Sequence, residues 1–196
     1  MTVPEHRKQG LPVSALRRGR PAHRAIAAMM ITLLTSGLVA SCGSGPPPPS
    51  TPPAGVQTFT GLARDHVQGH VNYPQNPPVG GAHSAMWLNC GIYPHPVPNE
   101  NAVHAMEHGA VWITYRPDLP ADQVSILRQL VDKKTYVVLS PYPGLPAPVV
   151  ASAWGAQLAM PSASDPKLAQ FLDYYRQGPQ TPEPGAPCTG GAGNPQ

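Results

Sequence analysis

The sequence is poor in charged residues, in aromatic residues and in long apolar runs. Of its 196 residues, only 12% are charged and 6% are aromatic. A coiled coil or a helical bundle would need far more charged, helix-forming residues, and a multi-pass membrane protein would need several apolar runs of about 20 residues. These classes are therefore excluded. Cysteine is also scarce, with three copies, whereas proline and glycine are abundant, with 28 and 19 copies.

The N-terminal segment has the features of a secretory leader. Six Lys and Arg residues and one Glu precede an apolar run from Ala25 to Ala40. A helix over this run would be about 24 Å long, shorter than the ~30 Å hydrocarbon core of a bilayer. Residues 1–41 are therefore predicted to be a signal peptide, with a single N-terminal membrane span as the alternative.

Small residues stand before the first cysteine, in the sequence Val39-Ala40-Ser41-Cys42. This stretch resembles a bacterial lipobox, in which the cysteine is lipidated and becomes N-terminal after cleavage. The resemblance predicts a lipoprotein anchored through Cys42 to the outer face of the bacterial cell membrane. The membrane is thus the expected partner, and no motif identifies a protein partner.

The distribution of charge argues against a nucleic-acid partner. The whole chain has a formal net charge of +3, but six of its 13 basic residues lie in the predicted leader. From Cys42 onward, the chain has seven Lys and Arg residues and nine Asp and Glu residues. A protein that binds nucleic acid needs a basic surface, and this part of the chain lacks the residues for one.

Composition divides the rest of the chain into three parts. Residues 42–55 are predicted to be the lipid anchor followed by a Pro-rich tether. Residues 43–55 hold six prolines and no charge, and such a stretch cannot form a core. Residues 56–178 are predicted to be the globular domain. Residues 179–196 are again rich in proline and glycine and are predicted to be an irregular tail.

Periodicity within the domain predicts a small α+β fold. Runs of β-branched and aromatic residues predict strands, at residues 110–115, 136–139 and 148–154. Apolar residues that recur every three or four positions predict helices, at residues 119–133 and 165–176. Clustered glycine and proline predict loops between residues 60 and 102. We therefore expect one α+β domain with a short sheet, two or three helices and long Pro/Gly-rich loops.

Six of the eight histidines lie within 43 residues of each other, in the loop-rich part of the domain. Neutral imidazole is a good ligand for zinc and copper, and the thioethers of Met86 and Met106 would suit copper(I). The sequence therefore predicts a copper or zinc site. Its candidate ligands are His66, His83, His104, His108 and Glu107, the last as a ligand or as a group that orients an imidazole. His70 and His95 are weaker candidates.

The segment from His104 to His108 also matches the pattern H-x-x-E-H. On a helix these two histidines share a face, so both can hold one metal ion while Glu107 acts as the general base of a metal-dependent hydrolase. Gly109 and the strand predicted from residue 110 leave little room for such a helix, and no clear third ligand follows. A non-metal catalytic or ligand site remains open, as does a non-enzymatic envelope protein that binds a partner and whose histidines bond loop carbonyls.

The cysteines allow two interpretations. If Cys42 carries lipid, Cys90 and Cys188 remain, and an even pair outside the cytoplasm predicts a disulfide. In the alternative, Cys90 is a thiolate ligand or a nucleophile.

Several motifs carry a family resemblance. They are His66-Val67 with Val71 and Tyr73, Pro77-Pro78-Val79-Gly80-Gly81 with His83, Trp87-x-Asn89-Cys90-Gly91-x-Tyr93, and the stretch from Glu100 to Val111. Together they resemble the bacterial domain of unknown function 3105 family, over roughly residues 56–185. The resemblance implies an exported or membrane-anchored protein whose four candidate histidines act together with Glu107. It implies no activity.

Overall fold

A six-stranded sheet organises residues 51–196, the part of the chain that the computed structural model describes. The predicted leader over residues 1–41, the predicted lipidation site Cys42 and most of the predicted tether lie outside the described residues. The elements in chain order are β1 (Gln57–Thr58), β2 (His66–Val67), β3 (His83–Ser84), β4 (Gly91–Ile92), α1 (Asn99–Glu107), β5 (Val111–Tyr115), α2 (Ala121–Val131), β6 (Val137–Pro141), β7 (Val149–Ala153), β8 (Ala156–Met160) and α3 (Pro166–Tyr175).

The main sheet is mixed. Its strand order is β1-β8-β7-β5-β6-β4, and β2 and β3 form a separate parallel pair. β5 runs parallel to β6 and antiparallel to β7. Every residue of β5, β6 and β7 is buried, as expected for central strands that are covered on both faces. This sheet and the three helices found in the described residues confirm the predicted α+β fold.

Alternate residues of the central strands pack into two apolar clusters. On one face, Val111 and Ile113 of β5 pack in a cluster with Leu127 of α2 and Phe171 of α3. On the other face, Trp112 belongs to a cluster that includes buried residues of α1. The sheet therefore separates a layer formed by α2 and α3 from a layer that contains α1 and the long loops.

The elements predicted in the second half of the domain are confirmed to within two residues at each end. Six elements of the described residues were missed, namely the two-residue strands β1 to β4, the helix α1 and the strand β8. None of the helices in residues 51–196 has the length and apolar character needed to cross a lipid bilayer.

A glycine turn joins α1 directly to β5. Gly109 has a φ of +97°, and its N–H donates to the carbonyl of Met106 at 3.0 Å. A Cβ at this position would lie 3.0 Å from the side chain of Thr181, so glycine satisfies both the backbone angle and the close packing. α1 is accordingly a short helix of nine residues that ends at Glu107, in keeping with the expectation that Gly109 leaves little room for a helix.

The chain after α3 returns to the end of α1. The N–H of Glu183 donates to the carbonyl of Glu107 at 3.1 Å, and the N–H of Cys90 donates to the carbonyl of Cys188 at 2.8 Å. A disulfide joins Cys90 to Cys188 across 98 residues of sequence, which confirms the predicted pair. The C-terminal segment is thereby held beside the candidate histidines.

The N-terminus of α3 has a side-chain cap. Asp165 accepts a hydrogen bond from the N–H of Lys167 at 3.0 Å, and Pro166 occupies the first helical position. Asp165→Ala is expected to lower the free energy of unfolding by about 1 kcal/mol because one helix N–H loses its acceptor. Asp165→Asn keeps an acceptor and is the control. Urea unfolding measures both, and equal stability of the Ala and Asn variants would contradict this role.

Candidate metal centre

Two local structures bring the candidate residues together. The parallel pairing of β2 with β3 places His66 opposite His83. In α1, His104 and Glu107 are three residues apart and therefore share a face of the helix. The ring centres of His66, His83 and His104 lie 4.8–5.0 Å from one another.

Four of the five predicted ligands form one group. Donor atoms of His66, His83, His104 and Glu107 all lie within 4.8 Å of one another. We call these four residues the inner group. His83 and Glu107 are fully buried, while the side chain of His66 is 48% exposed, so the group opens to solvent on one side.

The fifth predicted ligand belongs to a different combination. His108 forms a second group with His104 and Glu183, whose donor atoms also lie within 4.8 Å of one another. We call these three residues the outer group. The rings of His104 and His108 are 4.5 Å apart, and the Glu183 side chain is 45% exposed. The structure therefore divides the predicted ligand set into two groups that share His104.

Backbone carbonyls fix the tautomer of the buried imidazoles. His83 Nδ1 lies 2.7 Å from the carbonyl oxygen of Gly81, and His104 Nδ1 lies 2.7 Å from that of Ser84. A carbonyl oxygen only accepts hydrogen bonds, so both Nδ1 atoms carry a proton. In the neutral imidazole the lone pair is then on Nε2, which is the arrangement found in histidines that ligate metals.

His108 is held in the same way. Its Nδ1 donates to the carbonyl oxygen of Pro187 at 2.7 Å, which lies in the C-terminal segment next to the disulfide. His108 Nε2 lies 3.6 Å from Glu183 Oε2. In His83 and His108, a backbone carbonyl therefore holds Nδ1 while Nε2 faces a candidate acid. In His104 the Ser84 carbonyl likewise leaves Nε2 as the nitrogen available to a metal.

A buried nitrogen in the inner group lacks a hydrogen bond. His83 Nε2 lies 2.9 Å from Glu107 Oε2, yet among the described residues it has no partner in hydrogen-bonding geometry. Leaving such a buried polar atom unsatisfied costs about 1–3 kcal/mol. An ion bound between the nitrogen and the carboxylate would remove this cost.

Burial favours the neutral, ligating form of the central histidine. Desolvation lowers the pKa of His104 below its usual value, and the three neighbouring imidazoles lower that pKa further. The hydrogen bond to the Ser84 carbonyl opposes this shift. His104 is therefore uncharged at neutral pH, as a metal ligand must be.

Arg64 neutralises the buried carboxylate. Its Nε donates to Glu107 Oε1 at 2.6 Å, and its NH2 group donates to Glu183 Oε1 at 3.2 Å. One guanidinium thus links the acids of the two groups. In each acid the oxygen bonded to Arg64 is Oε1, and Oε2 is the oxygen closest to the histidine.

Sequence reasoning missed both Arg64 and Glu183. Each had a weak signal: Arg64 is the sole Lys or Arg between Arg24 and Arg116, and Glu183 is the sole acid after Asp173. Isolated charges in apolar or Pro-rich surroundings are candidates for specific pairing. Nothing in the sequence, however, places these two residues beside the histidines.

The remaining candidates lie elsewhere. The largely exposed His70 pairs with Glu100 at 3.0 Å, and His95 is exposed in a loop. Met106 is fully buried in the apolar cluster beside the sheet, and Met86 is half-exposed. Cys90 is in the disulfide, so the thiolate alternative is wrong.

Removal of the Arg64 charge is expected to strengthen metal binding. Arg64→Met should raise the affinity for Zn²⁺ about three- to tenfold, because it removes a cation adjacent to the site and frees Glu107 Oε1. It should also lower the melting temperature of the metal-free protein, since Glu107 stays buried without its partner. Arg64→Lys keeps the charge and is the control. Competition titration and thermal unfolding measure the effects, and weaker Zn²⁺ binding by Arg64→Met than by Arg64→Lys would contradict the expectation.

Comparison with known proteins gives a family but no activity. A family model described as "Protein of unknown function (DUF3105)" matches residues 66–190, which include all three elements of the inner group and also Glu183. No curated protein and no solved structure matches the chain.

Proposed function

The chain belongs to the DUF3105 family of proteins of unknown function, and we propose that this member binds one transition-metal ion, copper or zinc, at the inner group. His66, His83 and His104 supply imidazole nitrogens, and Glu107 supplies a carboxylate oxygen. Three nitrogen donors and one oxygen donor suit Zn²⁺ and Cu²⁺ better than Mg²⁺ or Ca²⁺, which prefer oxygen.

The main support for the proposal is the unsatisfied, buried Nε2 of His83. Its ring is fully buried, a backbone carbonyl holds its Nδ1, and its Nε2 has no hydrogen bond within the described part of the chain. Purely structural histidines satisfy their buried nitrogens. A nitrogen that is fixed, buried and unsatisfied beside a carboxylate and two further imidazoles is typical of a ligand.

The number of protein donors in the inner group favours a site that stores or carries the ion over a catalytic site. Four protein ligands complete the coordination of Zn²⁺ in structural sites, whereas catalytic zinc keeps one position for water. An ion at the inner group would be coordinated by protein alone. The function we propose is therefore metal binding outside the cytoplasm, as in a carrier or a reserve.

The predicted leader and the disulfide favour a location outside the cytoplasm for the proposed metal binding. The basic start, the short apolar run and the lipobox-like stretch at Cys42 favour a lipoprotein on the outer face of the bacterial cell membrane. The Cys90–Cys188 disulfide fits an oxidising compartment. Radiolabelled palmitate would be incorporated by the wild type and lost in Cys42→Ser, and labelling of both proteins would contradict lipidation at Cys42.

A metal-dependent hydrolase is the second candidate. The outer group favours it, because His104 and His108 lie on one helix end and Glu183 supplies the third ligand that the sequence did not reveal. Against it, the base Glu107 is bonded to Arg64 at 2.6 Å and is only 1% exposed, so a water molecule has little access. Glu107→Gln would keep metal and lose turnover if the hydrolase hypothesis were correct.

Metal content tests the proposal. The full-length gene is expressed without a histidine tag, so that the only histidines are its own, and the protein is dialysed against a weak chelator. Elemental mass spectrometry is expected to find about one equivalent of copper or zinc. No metal after loading and dialysis would overturn the proposal and favour a partner-binding protein with structural histidines.

A further inference from the structure

His104 is a member of both ligand groups but has only one free nitrogen. Its Nδ1 is bonded to the carbonyl of Ser84 at 2.7 Å, and only Nε2 remains for a metal. One imidazole nitrogen binds one ion. An ion with the full inner ligand set therefore excludes an ion with the full outer set.

The inner and outer groups have similar arrangements of donor atoms but are expected to differ in metal affinity. Each has a buried histidine whose Nδ1 bonds a carbonyl, and each has a glutamate that shares Oε1 with Arg64 and keeps Oε2 toward its histidine. The inner group has four donors and a buried acid, whereas the outer group has three donors and a half-exposed acid. Fewer ligands and a hydrated carboxylate make the outer group the weaker binder.

We infer that the outer group, His104 with His108 and Glu183, is a second and weaker transition-metal position that loads the inner group by exchange at His104 Nε2. This inference rests on the proposed metal binding. An incoming ion is attracted by the exposed carboxylate of Glu183 and is bound by His108 and His104. It then exchanges Glu183 and His108 for the other three inner donors, His66, His83 and Glu107, while His104 stays coordinated.

The equilibrium test removes the inner group first. His83→Gln replaces a key inner ligand with an amide of similar size and is expected to bind one equivalent of Zn²⁺ at least ~100-fold more weakly than the wild type. Adding Glu183→Gln should weaken that residual binding at least ~10-fold further. Adding Asp173→Asn, which removes an exposed acid of α3, should change it less than about twofold. If Glu183→Gln and Asp173→Asn weaken the Zn²⁺ binding of His83→Gln equally, the inference is overturned.

The kinetic test uses the otherwise intact protein. Trp87 lies 5.2 Å from the His108 ring, and Trp154 lies 5.9 Å from the His83 ring. Quenching of tryptophan fluorescence by Cu²⁺ therefore reports the arrival of the ion at the two groups. Glu183→Gln is expected to slow this quenching about tenfold in stopped flow while one equivalent still binds. Asp173→Asn should quench at the wild-type rate, and unchanged quenching in Glu183→Gln would overturn loading through the outer group.

The number of metal ions bound distinguishes failure of the proposed inner metal site from failure of the inferred outer position. A wild type that binds no metal contradicts the proposed function itself. A wild type that binds one equivalent, with no effect of Glu183→Gln in either test, leaves that function intact and overturns only the outer position. Two equivalents bound at once with equal affinity would overturn the mutual exclusion at His104. If His83→Gln does not fold, His66→Ala at the half-exposed position provides the weakened inner group for the same comparison.

Discussion

His104→Ala is expected to abolish stoichiometric binding of both Zn²⁺ and Cu²⁺. His104 is the one residue that donates to both the inner and the outer group, so its loss leaves neither group complete. Replacing even a residue that only orients a ligand costs about 10–100-fold in metal affinity. The loss of a shared ligand should therefore exceed about 100-fold.

The control for this variant is His95→Ala. His95 is an exposed loop histidine outside both groups, and its loss should leave the stoichiometry at one. Equilibrium dialysis with metal analysis measures both variants, and circular dichroism checks that they fold. His104→Gln keeps most of the buried volume and covers the case in which alanine unfolds the domain. Wild-type affinity in a folded His104 variant would contradict the site.

Replacing both disulfide cysteines is expected to lower the free energy of unfolding by about 4–5 kcal/mol. The bond joins residues 98 positions apart, and closing so long a loop removes much entropy from the unfolded chain. For a domain of this size, the melting temperature should fall by roughly 10–20 °C. Thermal and urea unfolding of Cys90→Ala/Cys188→Ala measures the loss, with Cys42→Ser as the control for replacing a cysteine outside this bond.

Loss of the disulfide should also weaken the outer group. The C-terminal segment carries Glu183 and the Pro187 carbonyl that holds His108 Nδ1, and Cys188 anchors this segment. In folded protein without the bond, the rate of Cu²⁺ quenching should therefore fall, while one equivalent still binds at the inner group. A disulfide variant with wild-type stability would contradict the loop-closure argument.

The fold was predictable where the local pattern determines the structure. β5 is a run of β-branched and aromatic residues, β6 and β7 each begin with two valines, and α2 and α3 have helical apolar spacing. These elements therefore follow from the sequence. β8 was missed because Ala156–Met160 consists of good helix formers. Gly155, with a φ of +68°, instead closes a tight turn with Trp154, and the five residues pair with β7.

The site was predictable only in part, for a different physical reason. The clustering of histidines indicates a shared site, but their division into two groups depends on contacts between distant segments. The pairing of His66 with His83 involves strands of two residues, which leave no periodic signal. Glu183 and Arg64 lie 119 residues apart in the chain yet bond each other, and no local pattern encodes such a contact.

Anomalous diffraction from a crystal of the Zn²⁺-loaded protein, recorded at the zinc absorption edge, would locate the metal ion directly. One strong peak is expected, about 2.0–2.1 Å from Nε2 of His83 and of His104, with Glu107 Oε2 in contact with the ion. A peak of this kind would establish the inner group as the metal centre. No peak there, or zinc found only at exposed histidines such as His95, would contradict it.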